Sequence, residues 1–205
     1  MSGAADDEVG VESSVDVLLS ASFTAPNNTL IQNYTPEIGP VCLSDFCVTT
    51  NATVSNAAPD SYVDNNRMRR GTNFRSPIWQ LTEGIVAIQA KIEWSAVQNI
   101  SLITRLNTPT LTRGCRVVIT STTVDIRSQS NGLIGSVSTV LNSGDTVRLE
   151  DDGSISVGAL QVFVNGVFLL ANTSTTGLDA STGNQVSGYI ANDQGYIDDL
   201  LVTVL

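Results

Sequence analysis

Residues Gly144 to Leu170 read GDTVRLEDDGSISVGALQVFVNGVFLL, three short strand patterns separated by two groups of turn residues. The Asn165-Gly166 pair predicts a two-residue type I′ hairpin turn, because both central positions of that turn need positive φ and these residues tolerate it best. Before the turn, Leu160, Val162 and Val164 alternate with Gln161 and Phe163, so a period of two puts the branched aliphatics on one face, expected to be core. Asp151-Asp152-Gly153 predicts a second turn, after the strand Val147-Arg148-Leu149, and Gly158 is expected as a bulge inside the strand that follows. The stretch is a β-meander.

The same alternation recurs along the chain. Val86, Ile88, Ala90, Ile92 and Trp94 form one apolar face against Ala87, Gln89, Lys91 and Glu93. Ile100, Leu102, Thr104 and Leu106 continue the pattern, Arg116 to Ile119 and Thr123 to Arg127 follow, and Asn131-Gly132 predicts a further hairpin. The last strand, Ile197 to Leu205, is apolar on both faces, as in the centre of a sandwich. No dozen residues carry an uninterrupted 3.6-residue apolar period, so helix is expected to be minor. The sequence predicts an all-β chain, a two-sheet antiparallel sandwich of jelly-roll type, with residues 15–205 as one domain behind a flexible acidic arm at 1–14.

Ten Lys and Arg face 20 Asp and Glu, a formal charge of −10, and there is no histidine. Such a balance offers no basic footprint for nucleic acid and disfavours anionic membranes. Without histidine the usual general base is missing, and Ser-His-Asp and Cys-His arrangements are excluded. No apolar run approaches the ~20 residues that cross a bilayer, and no basic-then-apolar leader opens the chain, which is therefore expected to be made without export. Cys42, Cys47 and Cys115 read as buried free thiols; a bridge between Cys42 and Cys47 is the alternative.

Several residues stand out as candidates. Asp6, Asp7, Glu8 and Glu12 lie in the arm, which is either a solvated terminus or an attachment segment that orders on a partner. Arg67, Arg69, Arg70 and Arg75 form the one dense basic cluster; it either pairs with carboxylates of its own surface or a neighbouring subunit, or holds an anion such as a phosphate or an acidic sugar. Trp94 falls on a core face, whereas Trp79 is a candidate for stacking on a sugar ring. Asn-x-Ser/Thr sequons begin at Asn27, Asn33, Asn51, Asn99 and Asn172, as chance allows in so Asn- and Thr-rich a chain.

GDTVRLEDDG followed by LQVFVNGVFLL resembles the Gly-Asp-Thr strand and Val-Asn-Gly hairpin of the concanavalin A-like, laminin-G-like jelly rolls found in bacteriophage virion proteins and secreted bacterial proteins. Ser22-Phe23-Thr24 resembles their opening strand, and Gly188-Tyr189-Ile190 with Ile197 to Leu200 their closing pair. The resemblance implies a virion surface protein made in the host cytoplasm, a capsid decoration or head-fibre protein that docks on the major capsid protein and assembles as a homo-oligomer, a trimer by analogy. A lectin-like module for a cell-surface glycan is the alternative. Glucanase-like relatives need acids alternating along one strand, with reacting carboxyls about 5–5.5 Å apart. No Glu-x-Asp-x-x-Glu run occurs, and Glu150-Asp151-Asp152 reads as a solvated turn, so no enzymatic activity is expected. No cofactor is implied beyond Ca²⁺, for which Asp151-Asp152 or Asp198-Asp199 are the candidate donors.

Overall fold

The computed structural model describes residues 15–49, 53–95, 99–108, 114–180, 183–192 and 194–205. The expected arm, with Asp6, Asp7, Glu8 and Glu12, lies outside them. In chain order the strands are β1 (Val17–Ala21), β2 (Cys47–Val48), β3 (Val54–Ser55), β4 (Tyr62–Val63), β5 (Met68–Arg69) and β6 (Ser76–Pro77). Then come β7 (Trp79–Gln80), β8 (Val86–Trp94), β9 (Ile100–Leu106), β10 (Cys115–Ile119), β11 (Thr123–Arg127) and β12 (Leu133–Ser138). The last are β13 (Thr146–Asp151), β14 (Leu160–Val164), β15 (Val167–Ala171), β16 (Gln185–Ile190) and β17 (Gly195–Val204). A single 3-10 turn, Ile31–Asn33, is the helix found among the described residues.

Every pairing is antiparallel. The larger sheet runs β15-β14-β13-β8-β17-β5-β4 with β1 also on β17, and the smaller runs β12-β11-β10-β9-β16-β7. Their inner faces meet in one cluster that includes Ile88, Ile92, Leu102, Val117, Ile126, Val147, Leu149, Val162 and Val202. The apolar alternation of β8, β13 and β14 supplies one half of it, each buried aliphatic contributing about 1.5–3 kcal/mol. β17 lies between β8 on one side and β1 and β5 on the other; Ile197, Leu200 and Val202 are buried in the core, whereas Leu201 and Val204 are only partly buried.

A third, three-stranded sheet, β3-β2-β6, encloses a second cluster of Val48, Val54, Ile78, Ile103, Leu106 and Tyr189. Strand β9 feeds both clusters and is buried along its whole length. Arg105 has φ +56° inside this strand, which breaks the alternation, so that Ile103 and Leu106, three apart, share one cluster.

The hairpins are as the sequence predicts, with two differences. Asn165 (φ +50°) and Gly166 (φ +78°) form the two-residue turn between β14 and β15, and the Asn165 side chain accepts the Thr146 N–H. Asn131 (φ +68°) lies in a longer loop between β11 and β12, closed by Ser128 N–H on the Gly132 carbonyl. Gly158 (φ +86°) is not a bulge within a strand: it lies in the connection that precedes β14, where its N–H donates to the Asn172 carbonyl. The thiols Cys42, Cys47 and Cys115 are all free and buried.

Candidate functional site: an arginine cleft at the edge of the large sheet

Strands β4 and β5 form the outermost hairpin of the large sheet. Its turn is Asn65 (φ +51°) and Asn66 (φ +59°), closed by reciprocal main-chain hydrogen bonds between Asp64 and Arg67, and Asn27 accepts the Asn65 N–H. This Asn-Asn turn is the same device as Asn165-Gly166 and was legible in principle, since asparagine tolerates the left-handed region. Val63 and Met68 point inward and are fully buried, so the paired residues on the other face, Tyr62 and Arg69, point outward.

Beyond β5 the chain bends through Gly71. A side chain there would place its Cβ 2.1 Å from the Asp60 carbonyl oxygen, so the close approach demands glycine. Asp60 is fixed behind it, its carboxylate accepting the N–H groups of Asn73 and Arg75. Tyr62, Arg69, Arg70, Gly71 and Thr72 thereby line an open cleft of about 330 Å³.

Of the four arginines that the sequence singles out, Arg69 and Arg70 line this cleft, and Arg67 shares the Tyr196 ring with Arg69. Arg67 pairs with Glu93 at 2.5 Å and lies over the Tyr196 ring at 4.0 Å. Arg69 pairs with Asp64 at 3.2 Å and approaches the same ring at 5.8 Å. Arg70 donates from Nη1 to the Ala191 carbonyl at 2.6 Å and stacks on Phe74 at 3.6 Å. The Nε of each of these three is enclosed and meets no acceptor among the described residues. Arg75 is absent from the cleft lining; its main chain fastens residues 60 and 61, whose N–H groups donate to its carbonyl.

Two expectations are corrected. Trp79 is fully buried in the main core on β7, paired to β16, and presents no face to a sugar ring. Asp151 is not in a solvated turn. It is 0% exposed and takes hydrogen bonds from Arg105 Nε and Nη2 and from the Thr104 hydroxyl, across the gap between the sheets. The same guanidinium donates to the carbonyls of Asp179 and Ser154, so one enclosed ion pair ties β9 to β13 and to both adjoining loops. Burial acts to depress the Arg105 pKa, and the Asp151 carboxylate overrides it and raises it.

With Asp151 occupied in this way, the Asp151-Asp152 donor pair for Ca²⁺ is broken up. Asp198 accepts the N–H of Asp199 and lies 3.6 Å from Lys91 Nζ; burial and the Asp199 charge raise its pKa. Among the described residues no group of three or more His, Cys, Asp or Glu side chains could hold a metal ion. Burial pushes the Cys42 and Cys115 thiols up to about 12 and that of Cys47 up to about 11, so none supplies a thiolate at neutral pH. No described helix is long and apolar enough to cross a membrane.

No protein-family model matches the sequence, and no curated protein matches it. Solved structures do resemble it. The binding domain of botulinum neurotoxin serotype D matches with a TM-score of 0.54 at 10% identity, over 92% of this chain and 48% of that one. The receptor-binding domain of a botulinum neurotoxin C/D mosaic serotype matches with 0.51 at 12% identity, over 92% and 48%. A Parabacteroides distasonis protein whose assignment as a glycosyl hydrolase is provisional matches with 0.55 at 9% identity, over 87% of this chain and 94% of that one. The chain spans about half the length of the two toxin domains. Identities this low bear on architecture alone, and the architecture is that of the concanavalin A-like, jelly-roll β-sandwiches.

Proposed function

We propose that this chain is a non-enzymatic, lectin-like binding module that recognises a cell-surface glycan in the cleft between Tyr62, Arg69, Arg70, Gly71 and Thr72. The cleft carries the reading. It joins an aromatic edge, planar guanidinium donors and a hydroxyl on a rigid two-stranded support, the mixture of apolar surface and fixed polar groups that ligand sites use. Two of the structures with this fold are named as binding and receptor-binding domains. None of the residues lining the cleft is a carboxylate, which leaves it without the paired acids of a glycosidase. A glycan array with the intact chain is expected to show selective binding that Arg69→Glu abolishes. Selective binding that survives Arg69→Glu removes the cleft from the account, and a glycosidase screen showing turnover lost on a single Asp or Glu substitution overturns the non-enzymatic reading.

The setting we propose is a virion surface, as a decoration or head-fibre protein on the major capsid protein. The resemblance that suggests it rests on the stretch forming β13, β14 and β15, which folds as consecutive antiparallel strands. The acidic residues Asp6, Asp7, Glu8 and Glu12 would meet a basic capsid patch. Deleting residues 2–14 and mixing the protein with undecorated capsids tests this: full occupancy without the arm removes the anchor, and failure of both forms to bind removes the capsid. Light scattering tests the proposed trimer, and a monomer at micromolar concentration counts against it.

A further inference from the structure

We infer that the cleft takes a glycan through an acidic sugar, one bearing a carboxylate such as a uronate or sialate, and that Arg70 is the residue that binds the acid; this rests on the glycan-binding reading. In a chain with twice as many acids as bases, each cation near the cleft should find a carboxylate. Arg67 has Glu93 and Arg69 has Asp64. Arg70 has none within ion-pair distance among the described residues. Its charge is nevertheless fixed in place, with Nη1 on the Ala191 carbonyl and its face on Phe74.

The support for that face is itself unusual. Phe74 has φ +59°, a left-handed conformation that a bulky side chain adopts at a cost of order 1–3 kcal/mol, and its ring is 39% exposed rather than packed in the core. A strained phenylalanine that stays more than a third exposed has its use in holding the guanidinium flat. With Nε enclosed and one Nη1 hydrogen on the Ala191 carbonyl, Nη2 and the other Nη1 hydrogen are the in-plane donors left for a planar partner, which a carboxylate matches.

The charge balance also selects among anions. Of the two arginines lining the cleft, Arg69 is answered by Asp64, and Asp60 behind Gly71 is satisfied by main-chain N–H groups. Those N–H groups are neutral and leave the Asp60 charge in place, so two arginines face two carboxylates, a balance that suits a monoanion on Arg70 better than a phosphate monoester of charge about −1.5 to −2.

The test is calorimetric titration of the intact protein with sialate- and uronate-terminated oligosaccharides, their methyl esters, their neutral parents, a sulfated counterpart and inorganic phosphate. The acids are expected to bind roughly tenfold more tightly than their methyl esters, the worth of one charge-assisted contact. Arg70→Met, which keeps an unbranched side chain against Phe74, is expected to erase that preference, so that each acid and its methyl ester bind alike; Arg70→Lys restores it only in part. Esters that bind as well as acids overturn the inference while the lectin reading stands. A preference that survives Arg70→Met, or one for the sulfated sugar or for phosphate, overturns it equally. If no glycan of any kind binds, the glycan-binding reading fails and takes this inference with it. An unchanged melting temperature of Arg70→Met shows that a lost preference is not a lost fold.

Discussion

Arg105 and Arg70 are both held rigidly, and they are held for opposite ends. Arg105 is enclosed, and its donors meet the Asp151 carboxylate and two loop carbonyls. Arg70 sits at the rim of an open cleft, fixed by a carbonyl and a ring, with no carboxylate in ion-pair contact among the described residues. An enclosed charge that is fully answered specifies a fold; an anchored charge left open specifies a ligand. Stability and binding should therefore respond to the two residues in reverse order.

The largest effect is expected at the enclosed pair. Asp151→Asn leaves the Arg105 charge buried without its counter-charge, and unfolding in urea should show a loss of about 3–5 kcal/mol, the usual cost of breaking one side of such a pair. Replacing both partners, Arg105→Met with Asp151→Leu, should recover most of it, because burying two charges is itself unfavourable. Arg70→Met, by contrast, should cost under about 1 kcal/mol, the scale of an exposed cation–π contact. Equal losses at the two sites would break the comparison.

Next in size is Gly71→Ala. The added methyl meets the Asp60 carbonyl at 2.1 Å, so Asp60 and the turn it fixes must shift. A loss of about 1–3 kcal/mol is expected, as for overpacking elsewhere, with glycan binding lost in protein that still folds at low temperature. Thermal unfolding and a glycan titration on the same sample separate the two. An unperturbed variant would mean that the close approach does not shape the cleft.

What the sequence shows of each region follows from how local its signals are. The hairpin at Asn165-Gly166 and the face Val86 to Trp94 are written in adjacent residues; the turn is as read, and the face is buried from Val86 to Ile92 with Trp94 only partly so. The arginine cluster was visible too, as three charges in four residues. Its anchors were not, since Ala191 lies 121 residues from Arg70, and Phe74 looks like an ordinary loop aromatic. Asp151 was misread because Gly153 beside it signals a turn, and the turn is real; the partner that buries it is 46 residues away. The one sequence clue was Arg105 itself, a lone cation in the strand Ile100 to Leu106, where a solvated face would need more polar company. Trp79 reads as a candidate for a sugar ring because its two-residue strand carries no period of its own to place it in the core.

The smallest effect concerns charges that are neither enclosed nor free, and it tests whether the contrast is a gradient. On the outer face of the large sheet Glu93 takes hydrogen bonds from Lys91 at 2.6 Å and Arg67 at 2.5 Å. Burial acts to raise the Glu93 pKa, but the bonds from Lys91 and Arg67 bring it below the usual carboxylate range. Its contribution is therefore fully present above the unfolded value of about 4.3 and is lost as pH falls through the lower folded value. The Glu93 bond raises the Lys91 pKa, so that contribution is complete below about 10.4 and is lost as pH rises through the higher folded value. Asp198 works the other way, because burial and Asp199 raise its pKa and folding gains as it protonates. Glu93→Gln should flatten the acid side of the stability curve by less than about 1 kcal/mol, as such part-exposed pairs allow. Asp198→Asn should steepen the same acid side by removing the offset. Urea midpoints between pH 3 and 7 read both changes, and an acid limb unaltered in both variants would place this network with the surface pairs that contribute nothing, leaving Arg105 and Arg70 as the two charges around which the molecule is arranged.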